Sequence, residues 1–164
     1  MKYLKHLLAL LLIVILLGLP LPAQADETKL IYNNLSLEGE DFSNQELVGA
    51  EFGKSNLDNV DFSNSNMQGA VINACSIKGV NLHGVDYSYG ITYLENFEDT
   101  DLTDAQFFQA LMLRTTFKNV DITGADFTDA VIEKAEVNKL CKVASGVNSI
   151  TGVATRDSLG CRGN

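Results

Sequence analysis

Residues 120–130 read VDITGADFTDA, and a large apolar side chain stands at every fifth position, here Ile122 and Phe127. The same spacing runs from Leu37 to Val137 without an insertion or deletion, and twenty of its 21 positions carry a large apolar residue. A helix repeats its buried side chains every 3.6 residues and a strand every 2 residues, so neither element alone explains this period. The period of five therefore predicts a repeat architecture for most of the chain.

The positions between the large apolar residues are also biased. Two residues before each of them the side chain is often small, and the residue directly before is often Asp or Asn. Gly and Asn recur two residues after it, and both tolerate the unusual dihedral angles of a tight turn. Asp and Asn side chains can also accept hydrogen bonds from the amides of a corner. The pattern predicts a chain that turns every five residues, with one bulky and one small side chain pointing inward.

Residues 60–64 (VDFSN) and 125–129 (ADFTD) resemble the pentapeptide-repeat family, whose consensus is Ala-(Asp/Asn)-Leu-x-x. The resemblance covers about residues 35–137 and implies an all-β fold, a right-handed quadrilateral β-helix with four repeats per coil and about five coils. Residues that are 20 apart should then stack in interior columns. We expect residues 26–34 to lead into the repeats and residues 138–164 to form a short α-helical cap.

Two residues disturb the pattern in the middle of the repeats. Thr92 is the one position of the interior series without a large apolar side chain, and Glu95 falls in a slot where small side chains point inward. An unpaired charge in such a slot would be costly. We therefore predict a local distortion at residues 88–96, such as a bulge.

Residues 1–25 are typical of a secretory signal peptide. Lys2 and Lys5 precede an uncharged apolar run at residues 7–19, and residues 23–25 (AQA) form a small-x-small cleavage pattern. A helix of that run would be about 20 Å long against a hydrocarbon core of about 30 Å, so a retained anchor is the less favoured alternative. We predict cleavage after Ala25 and an exported, soluble protein without stable membrane insertion.

Cys141 and Cys161 flank the terminal segment, outside the repeats. In an exported protein they should form a disulfide. Metal binding is the alternative, but two Cys without a nearby His are too few ligands for a structural zinc site. Cys75 falls in an inward slot and is predicted to be a buried free thiol. The cap should contain one helix that begins near Glu133 and a second that begins at Thr155, with the Thr155 hydroxyl as its N-cap.

The terminal segment is also similar to the tail of exported pentapeptide-repeat proteins from the thylakoid lumen of cyanobacteria and chloroplasts. The residues that carry this resemblance are 140–141 (LC), 144–146 (ASG), 151–152 (TG) and 158–161 (SLGC). The resemblance implies a compartment and an architecture, and it implies no activity. Because one type of signal serves both compartments, thylakoid lumen and periplasm stay open.

The sequence offers little for catalysis. After removal of the signal peptide His83 is the one histidine, and it lies in an outward corner position. Residues 53–55 (GKS) lack the preceding glycine that a phosphate-binding loop needs at position 48. We predict a non-enzymatic protein without catalytic residues, a resident metal or a cofactor. The acidic residues Glu98, Asp99, Asp101 and Asp104 lack the spacing of an EF-hand, and Ca²⁺ binding by this acidic surface is kept as an alternative.

The chain is acidic, with a net charge of −9 that becomes 10 − 21 = −11 without Lys2 and Lys5. This balance argues against a nucleic-acid partner, because DNA binding needs clustered cations. One edge should carry a ladder of Asp41, Asp61, Asp101 and Asp121. The family includes acidic solenoids that imitate duplex DNA and inhibit topoisomerase, so an acidic DNA-mimic inhibitor is a further alternative. Export argues against it, since the target would be in another compartment.

One outward row is apolar where Asp or Asn is usual. It contains Val71, Ile91, Leu111 and Val131, with Tyr93 and Leu113 beside it. Large exposed apolar patches mark interaction sites, but the C-terminal helices could instead fold over this stripe. Both possibilities stay open at this point. We predict an interaction scaffold with an unidentified protein partner, and the sequence predicts no oligomeric state.

Overall fold

The computed structural model describes residues 29–162, which form a parallel β-solenoid followed by two short helices. The predicted signal peptide, residues 1–25, lies outside the described residues. The strands are β1 (Ile31–Asn33), β2 (Glu51–Gly53), β3 (Val71–Asn73), β4 (Ile91–Tyr93), β5 (Asn96–Glu98), β6 (Leu111–Leu113), β7 (Thr116–Lys118) and β8 (Val131–Ile132). The helices are α1 (Lys134–Leu140) and α2 (Thr155–Ser158).

The strands pair with a constant step of 20 residues. A six-stranded parallel sheet has the order β1-β2-β3-β4-β6-β8, and β5 pairs with β7 in a second sheet. In the first sheet Phe52 lies opposite Ile72, and elsewhere isolated parallel bridges such as Asp41 with Asp61 keep the same step. One coil is therefore four repeats of five residues. This is the right-handed quadrilateral β-helix of about five coils that the sequence predicts.

The corners of the coils explain the Gly and Asn bias. Every fifth residue from Asn34 to Asp129 has a positive φ, between 52° and 75°. Gly adopts this left-handed conformation without steric cost, and Asn tolerates it better than other side chains do. The corner amide then donates to the next coil, as Asn64 N does to His83 O at 2.8 Å. The corner prediction is confirmed at the level of the backbone.

The interior is filled by the large residues of the period of five. Phe42, Phe52 and Phe62 pack together near the N-terminal end with ring centroids 5.4–6.2 Å apart. Phe107 and Phe127 lie almost parallel, 5.0 Å apart, near the other end. Small side chains fill the corners between these columns and have no exposed surface; they are Ala50, Ala70, Ala105, Ala110 and Ala125. The solenoid therefore has a solid core.

The predicted distortion at residues 88–96 is wrong. Strand β4 pairs in register with both β3 and β6, and the corners on either side of it keep their positive φ. The polar side chains of Thr92 and Glu95 find partners in the neighbouring coils instead. The Thr92 hydroxyl lies 3.2 Å from the Thr115 hydroxyl, and Glu95 Oε1 accepts a hydrogen bond from Cys75 N at 3.1 Å. These contacts allow regular backbone geometry despite two polar residues in the interior.

The ends of the solenoid differ from the predicted boundaries. Strand β1 already pairs with β2, so the first coil begins at Ile31, inside the predicted lead-in of residues 26–34. The parallel pairing ends at Ile132, and Val137, the last expected interior residue, lies half-buried in α1. The chain turns into a helix there, and the Glu136 side chain of this helix accepts the hydrogen bond of Phe117 N.

The C-terminal segment covers the last coil and satisfies its free amides. Phe117 N donates to Glu136 Oε2 at 3.2 Å, Gly124 N to Ser145 O at 2.9 Å, and Phe127 N to Ser158 Oγ at 3.0 Å. Buried polar groups need such partners, and the end of a solenoid has to supply them. The tail is thus a cap, as the sequence predicts.

Two details of the cap can be compared with the sequence. Cys141 and Cys161 form the predicted disulfide. The predicted role of Thr155 as N-cap is wrong, because α2 has Ala154 at its N-cap position. The Thr155 hydroxyl points into the solenoid, where it donates to Ile122 O at 3.5 Å and ties the helix to the last coil.

Candidate interaction face

The outer surface of the six-stranded sheet is the apolar side of the solenoid. Each strand points its central residue inward and its two flanking residues outward. We call this surface the apolar face. Its first row is Ile31, Glu51, Val71, Ile91, Leu111 and Val131, and its second row is Asn33, Gly53, Asn73, Tyr93 and Leu113.

The other three sides are polar. The side that contains β5 and β7 has outward Asn, Ser and Thr residues, with Lys78, Glu98 and Lys118 in ion pairs. The next side carries the Asp ladder, and the one after it has Val48 and Phe108 as its apolar outward residues within the described coils. Apolar outward residues are therefore concentrated on one side of four.

The large side chains of the apolar face are open to solvent. Ile91, Tyr93, Leu111, Leu113 and Val131 retain between 38% and 45% of their accessible surface. Val71 is half-buried between its neighbours. Helix α1 packs near β7, on a different side of the solenoid, so the cap leaves this surface free. Of the two possibilities that the sequence left open, the structure has the exposed one.

Aromatic and apolar residues extend the face around both of its edges. Leu94 has 53% exposure, and Tyr89, 55% exposed, packs edge-to-face on Phe108 with ring centroids 5.6 Å apart. Both Leu94 and Tyr89 occupy corner positions with a positive φ, which is unfavourable for bulky side chains. Tyr89 and Phe108 are not among the residues that the sequence predicts for the apolar stripe. For Tyr89 the signal in the sequence is a large residue at a position where Gly or Asn is usual.

The charged residues of the apolar face are unevenly placed. Lys54 and Arg114 lie at one edge, and within residues 29–162 neither makes an ion pair with a carboxylate. Arg114 instead lies over the Tyr93 ring, 5.9 Å from its centroid. Glu51 belongs to the first row and pairs with Lys29 at 2.6 Å. The edge therefore presents two cations without a side-chain ion pair in the described chain, and the Glu133 carboxylate lies near Arg114, where its Oε1 accepts a hydrogen bond from Arg114 N at 2.6 Å.

The two ends of the face differ in relief. At the N-terminal end there is a shallow open depression of about 330 Å³, lined by Gly53, Asn33, Val71 and Asn73 among others. At the other end the side chains of Tyr93 and Leu113 project from the sheet. The face is thus neither uniform nor purely apolar, and its shape could distinguish between partners.

The Asp ladder serves as a row of corner caps. Asp41, Asp61, Asp101 and Asp121 each accept a hydrogen bond from the amide two residues later at 2.8–2.9 Å, and Asn81 does the same for His83 at 3.0 Å. Hydrogen bonds from the Ser43 side chain and amide lower the pKa of Asp41, and those from the Thr123 amide and side chain lower that of Asp121. One carboxylate oxygen of each Asp is therefore engaged within the coil.

The acidic stretch that could attract Ca²⁺ is dispersed in the structure. Glu98 Oε1 pairs with Lys118 Nζ at 2.7 Å, and Asp99 lies 3.8 Å from Lys78 Nζ. Asp104 Oδ1 accepts a hydrogen bond from Ser149 N in the cap at 3.1 Å. In the part of the chain that the structure describes, no three His, Cys, Asp or Glu residues are grouped as metal ligands.

The remaining polar candidates have structural contacts. His83 Nδ1 lies 2.7 Å from the Thr103 hydroxyl one coil later. Ser55, the last residue of the Gly-Lys-Ser stretch, is buried and donates to Tyr32 O at 2.7 Å. Among the described helices none has the length and apolar character needed to cross a bilayer.

Cys75 and Glu95 share one interior corner. Cys75 is free, as predicted, but it is half-buried rather than buried, with Sγ 3.4 Å from Phe52 O. Burial raises the pKa of the Cys75 thiol, so it is a poor nucleophile. Glu95 has 2% exposure, and burial raises its pKa to about 7. Its Oε2 is buried without a hydrogen-bond partner among the described residues.

The repeat region is similar to known proteins. The family model of pentapeptide repeats matches residues 33–64, 55–86 and 96–135, in eight copies. The matched ranges leave out residues 87–95, where Thr92 interrupts the apolar series. The structure keeps its coil geometry through this gap.

Two proteins from Arabidopsis thaliana are similar to the chain. The crystal structure of a pentapeptide repeat protein from the thylakoid lumen is 37% identical, covers 78% of this chain and 89% of its own, and has a TM-score of 0.64. The chloroplast thylakoid lumenal protein TL20.3 is 56% identical over 34 residues. That match spans 21% of this chain and 12% of TL20.3, so it covers a small part of the relative.

A more distant structure shares the fold alone. HetL, a pentapeptide repeat protein involved in heterocyst differentiation regulation in the cyanobacterium Nostoc sp., has a TM-score of 0.59 at 18% identity. The similarity covers 61% of this chain and 42% of HetL.

Proposed function

The chain belongs to the pentapeptide-repeat family, and from that premise we propose that it is a non-enzymatic protein-binding module of the thylakoid lumen or the periplasm. It presents the apolar face to a protein partner. The observation that carries this proposal is the exposure of Ile91, Leu111 and Val131 in one straight row, where the other sides have Asp, Asn, Ser and Thr. Contiguous exposed apolar surface of this kind marks interaction sites.

The binding role agrees with how the rest of the molecule is built. The interior is filled by stacked side chains, and the ladder carboxylates are used as corner caps, so these groups support structure. Parallel strands with a fixed step of 20 residues make a rigid, straight platform. Side chains that are held by such a scaffold lose little conformational freedom on binding, which favours recognition.

The compartment rests on two observations. The similar crystal structure and TL20.3 are both described as thylakoid lumenal proteins. The Cys141–Cys161 disulfide is the kind of bond that persists in oxidising compartments. Fractionation of cells that express the full chain, with the processed N-terminus sequenced, tests this part of the proposal. A chain that stays in the cytosol with Met1 in place would contradict it.

The binding role is tested by affinity capture from exported soluble and membrane fractions. The purified exported protein serves as bait beside the double variant Ile91→Asp, Leu111→Asp. The matched control is Asn96→Asp, Thr116→Asp, which introduces two carboxylates at the equivalent outward positions of β5 and β7 on a polar side.

A partner that is retained by the parent and the control and lost by the Ile91→Asp, Leu111→Asp variant supports the proposal. All three proteins are first compared by circular dichroism, so that loss of the fold is not mistaken for loss of binding. If folded parent and folded variant retain the same proteins in the same amounts, the apolar face does not capture a different protein from these fractions.

A further inference from the structure

We infer that the protein bound by the apolar face is a second copy of this chain, related by a two-fold axis parallel to the solenoid axis. The inference rests on the proposed function and names the partner of the same surface.

The two rows of the face complement each other under this axis. Rotation about a line parallel to the solenoid axis keeps every coil at its own height and exchanges the first row with the second. Ile91 then lies opposite Tyr93 of the partner copy, and Leu111 lies opposite Leu113 of the partner copy. Because the axis is two-fold, each of these contacts is made twice.

The corners extend this match. Leu94 and Tyr89 lie at opposite edges of the face, both beside β4. The same rotation brings the two edges together, so that Leu94 of one copy lies beside Tyr89 of the other. Both side chains are more than half exposed in the single chain and would lose solvent contact in the pair.

The charges select this axis over its alternative. Lys54 lies at one edge of the face and Glu51 in the row nearest the other edge, both on the coil that contains β2. Exchange of the rows places Lys54 beside Glu51 of the partner copy, so that this carboxylate faces both Lys54 and the Lys29 of its own chain. Arg114 is likewise brought to the edge that carries Asp129, one coil step away, or about 4.8 Å.

A two-fold axis parallel to the strands would not bring the cations of one copy to the acidic edge of the other. It would keep both cations at the same edge and invert the order of the coils. If such an axis passed between β3 and β4, at the middle of the sheet, Lys54 would lie opposite Arg114 of the partner copy. Like charges opposed in this way disfavour an arrangement.

The area of the face determines how strong the pair can be. Six strands about 4.8 Å apart and three residues of about 3.3 Å each give a face of about 24 Å by about 10 Å. Even with the flanking corner residues this is well below the roughly 800 Å² per partner of a standard stable interface. We therefore expect a reversible dimer with a dissociation constant between about 10 µM and about 1 mM.

Sedimentation equilibrium of the purified exported protein tests for the dimer, over concentrations from about 10 µM to about 2 mM. The expected result is a concentration-dependent dimer that is lost in Ile91→Asp, Leu111→Asp and kept in Asn96→Asp, Thr116→Asp. A protein that stays monomeric at the highest concentration, or a dimer that tolerates the first variant while it is folded, overturns the inference.

A charge exchange tests the axis. Lys54→Glu and Glu51→Lys each place like charges together in a dimer of identical chains, and each should raise the dissociation constant about tenfold. In an equimolar mixture of the two variants both contacts become attractive, so the mixture should dimerise about as well as the parent. If Lys54→Glu alone strengthens the dimer, or the mixture shows no recovery, the proposed axis is wrong.

The two proposals fail in different ways. If the chain is monomeric but a different protein is captured through the apolar face, the second copy is excluded and the binding function stands. If the chain neither dimerises nor captures a protein through this face, both proposals are wrong.

Discussion

Glu95 Oε1 accepts a hydrogen bond from the backbone N–H of Cys75, one coil earlier, at 3.1 Å, while Oε2 of the same carboxyl is buried without a partner in the described structure. The burial that leaves this oxygen unpaired also raises the pKa of Glu95 from its usual 4.5 to about 7. The solenoid therefore contains one acidic group whose proton is taken up on folding near neutral pH.

The stability of the protein should depend on pH through Glu95. Because the pKa is higher in the folded chain, the folded state binds a proton that the unfolded state lacks between pH 4.5 and about 7. The stabilising contribution of protonated Glu95 to the free energy of unfolding is fully present below pH 4.5, and it is lost as the pH rises through 7. The loss is at most about 3 kcal/mol, and Glu95→Gln should remove this pH dependence.

Urea unfolding of the parent and of Glu95→Gln at a series of pH values measures this effect. The difference in unfolding free energy between the two proteins should change in favour of the variant as the pH rises from about 5 to about 8. The comparison isolates Glu95, because carboxyls such as Asp41 and Asp121, whose pKa is lowered, are common to both proteins. A difference that stays constant over this range would contradict the prediction.

Leu94→Asn should stabilise the protein. Leu94 has a φ of 59°, a conformation that costs a branched apolar residue about 1 kcal/mol more than Asn, and its side chain is 53% exposed. Thermal unfolding should show a stabilisation of about 1 kcal/mol. The reverse change, Asn64→Leu at an equivalent corner with a φ of 57°, should destabilise by a similar amount. If both variants are as stable as the parent, backbone strain at these corners does not affect the stability of the protein.

Loss of the disulfide should loosen the cap before it affects the solenoid. The bridge joins residues 20 apart and is worth about 3 kcal/mol in the chain-entropy model. In Cys141→Ser, Cys161→Ser we expect faster hydrogen exchange at Phe117, Gly124 and Phe127, whose amides donate to the cap. Amides of the central coils, such as Asn64 N, should keep their protection, because each coil contacts only its neighbours. Uniformly faster exchange over the whole chain would refute this local effect.

The ladder residues should tolerate Asn better than Ala. Asn81 already makes the same corner hydrogen bond, at 3.0 Å, as Asp61 makes to Ser63 N at 2.8 Å. Asp61→Asn should therefore change the unfolding free energy little, whereas Asp61→Ala should cost about 1 kcal/mol because the amide loses its partner. Chemical unfolding at neutral pH compares the two variants. If both lose the same stability, the charge rather than the cap is what matters at this position.

The repeat region could be predicted because its rules are local. A large residue every five positions and Gly or Asn two residues later fix the interior and the corner within one repeat, and the structure keeps both without interruption from Asn34 to Asp129. The failure at residues 88–96 shows the limit of such rules. Thr92 and Glu95 look unfavourable along the chain, but their partners, Thr115 and Cys75 N, belong to neighbouring coils.

Two features could not be predicted from the repeats alone, because both depend on the C-terminal segment: the point where the repeats end and the exposure of the apolar face. Val137 fits the period of five, yet it lies in α1, where the neighbouring Glu136 side chain accepts the hydrogen bond of Phe117 N. Whether the apolar face is covered depends on the path that residues 138–162 take over the solenoid. These residues lie across the end of the stack, where Phe117, Gly124 and Phe127 needed acceptors, and leave Leu111 and Leu113 uncovered.

The step of 20 residues means that this protein can change length only in whole turns without changing what it presents. Removal of 20 consecutive residues would shorten the rod by one layer and leave every remaining row straight, since residue n would still lie over its old column. Removal of five residues between β4 and β6 would instead rotate everything that follows by a quarter-turn. Ile91 and Tyr93 would then lie on one side of the solenoid, and Leu111, Leu113 and Val131 on the adjacent side. Every remaining repeat would still be intact.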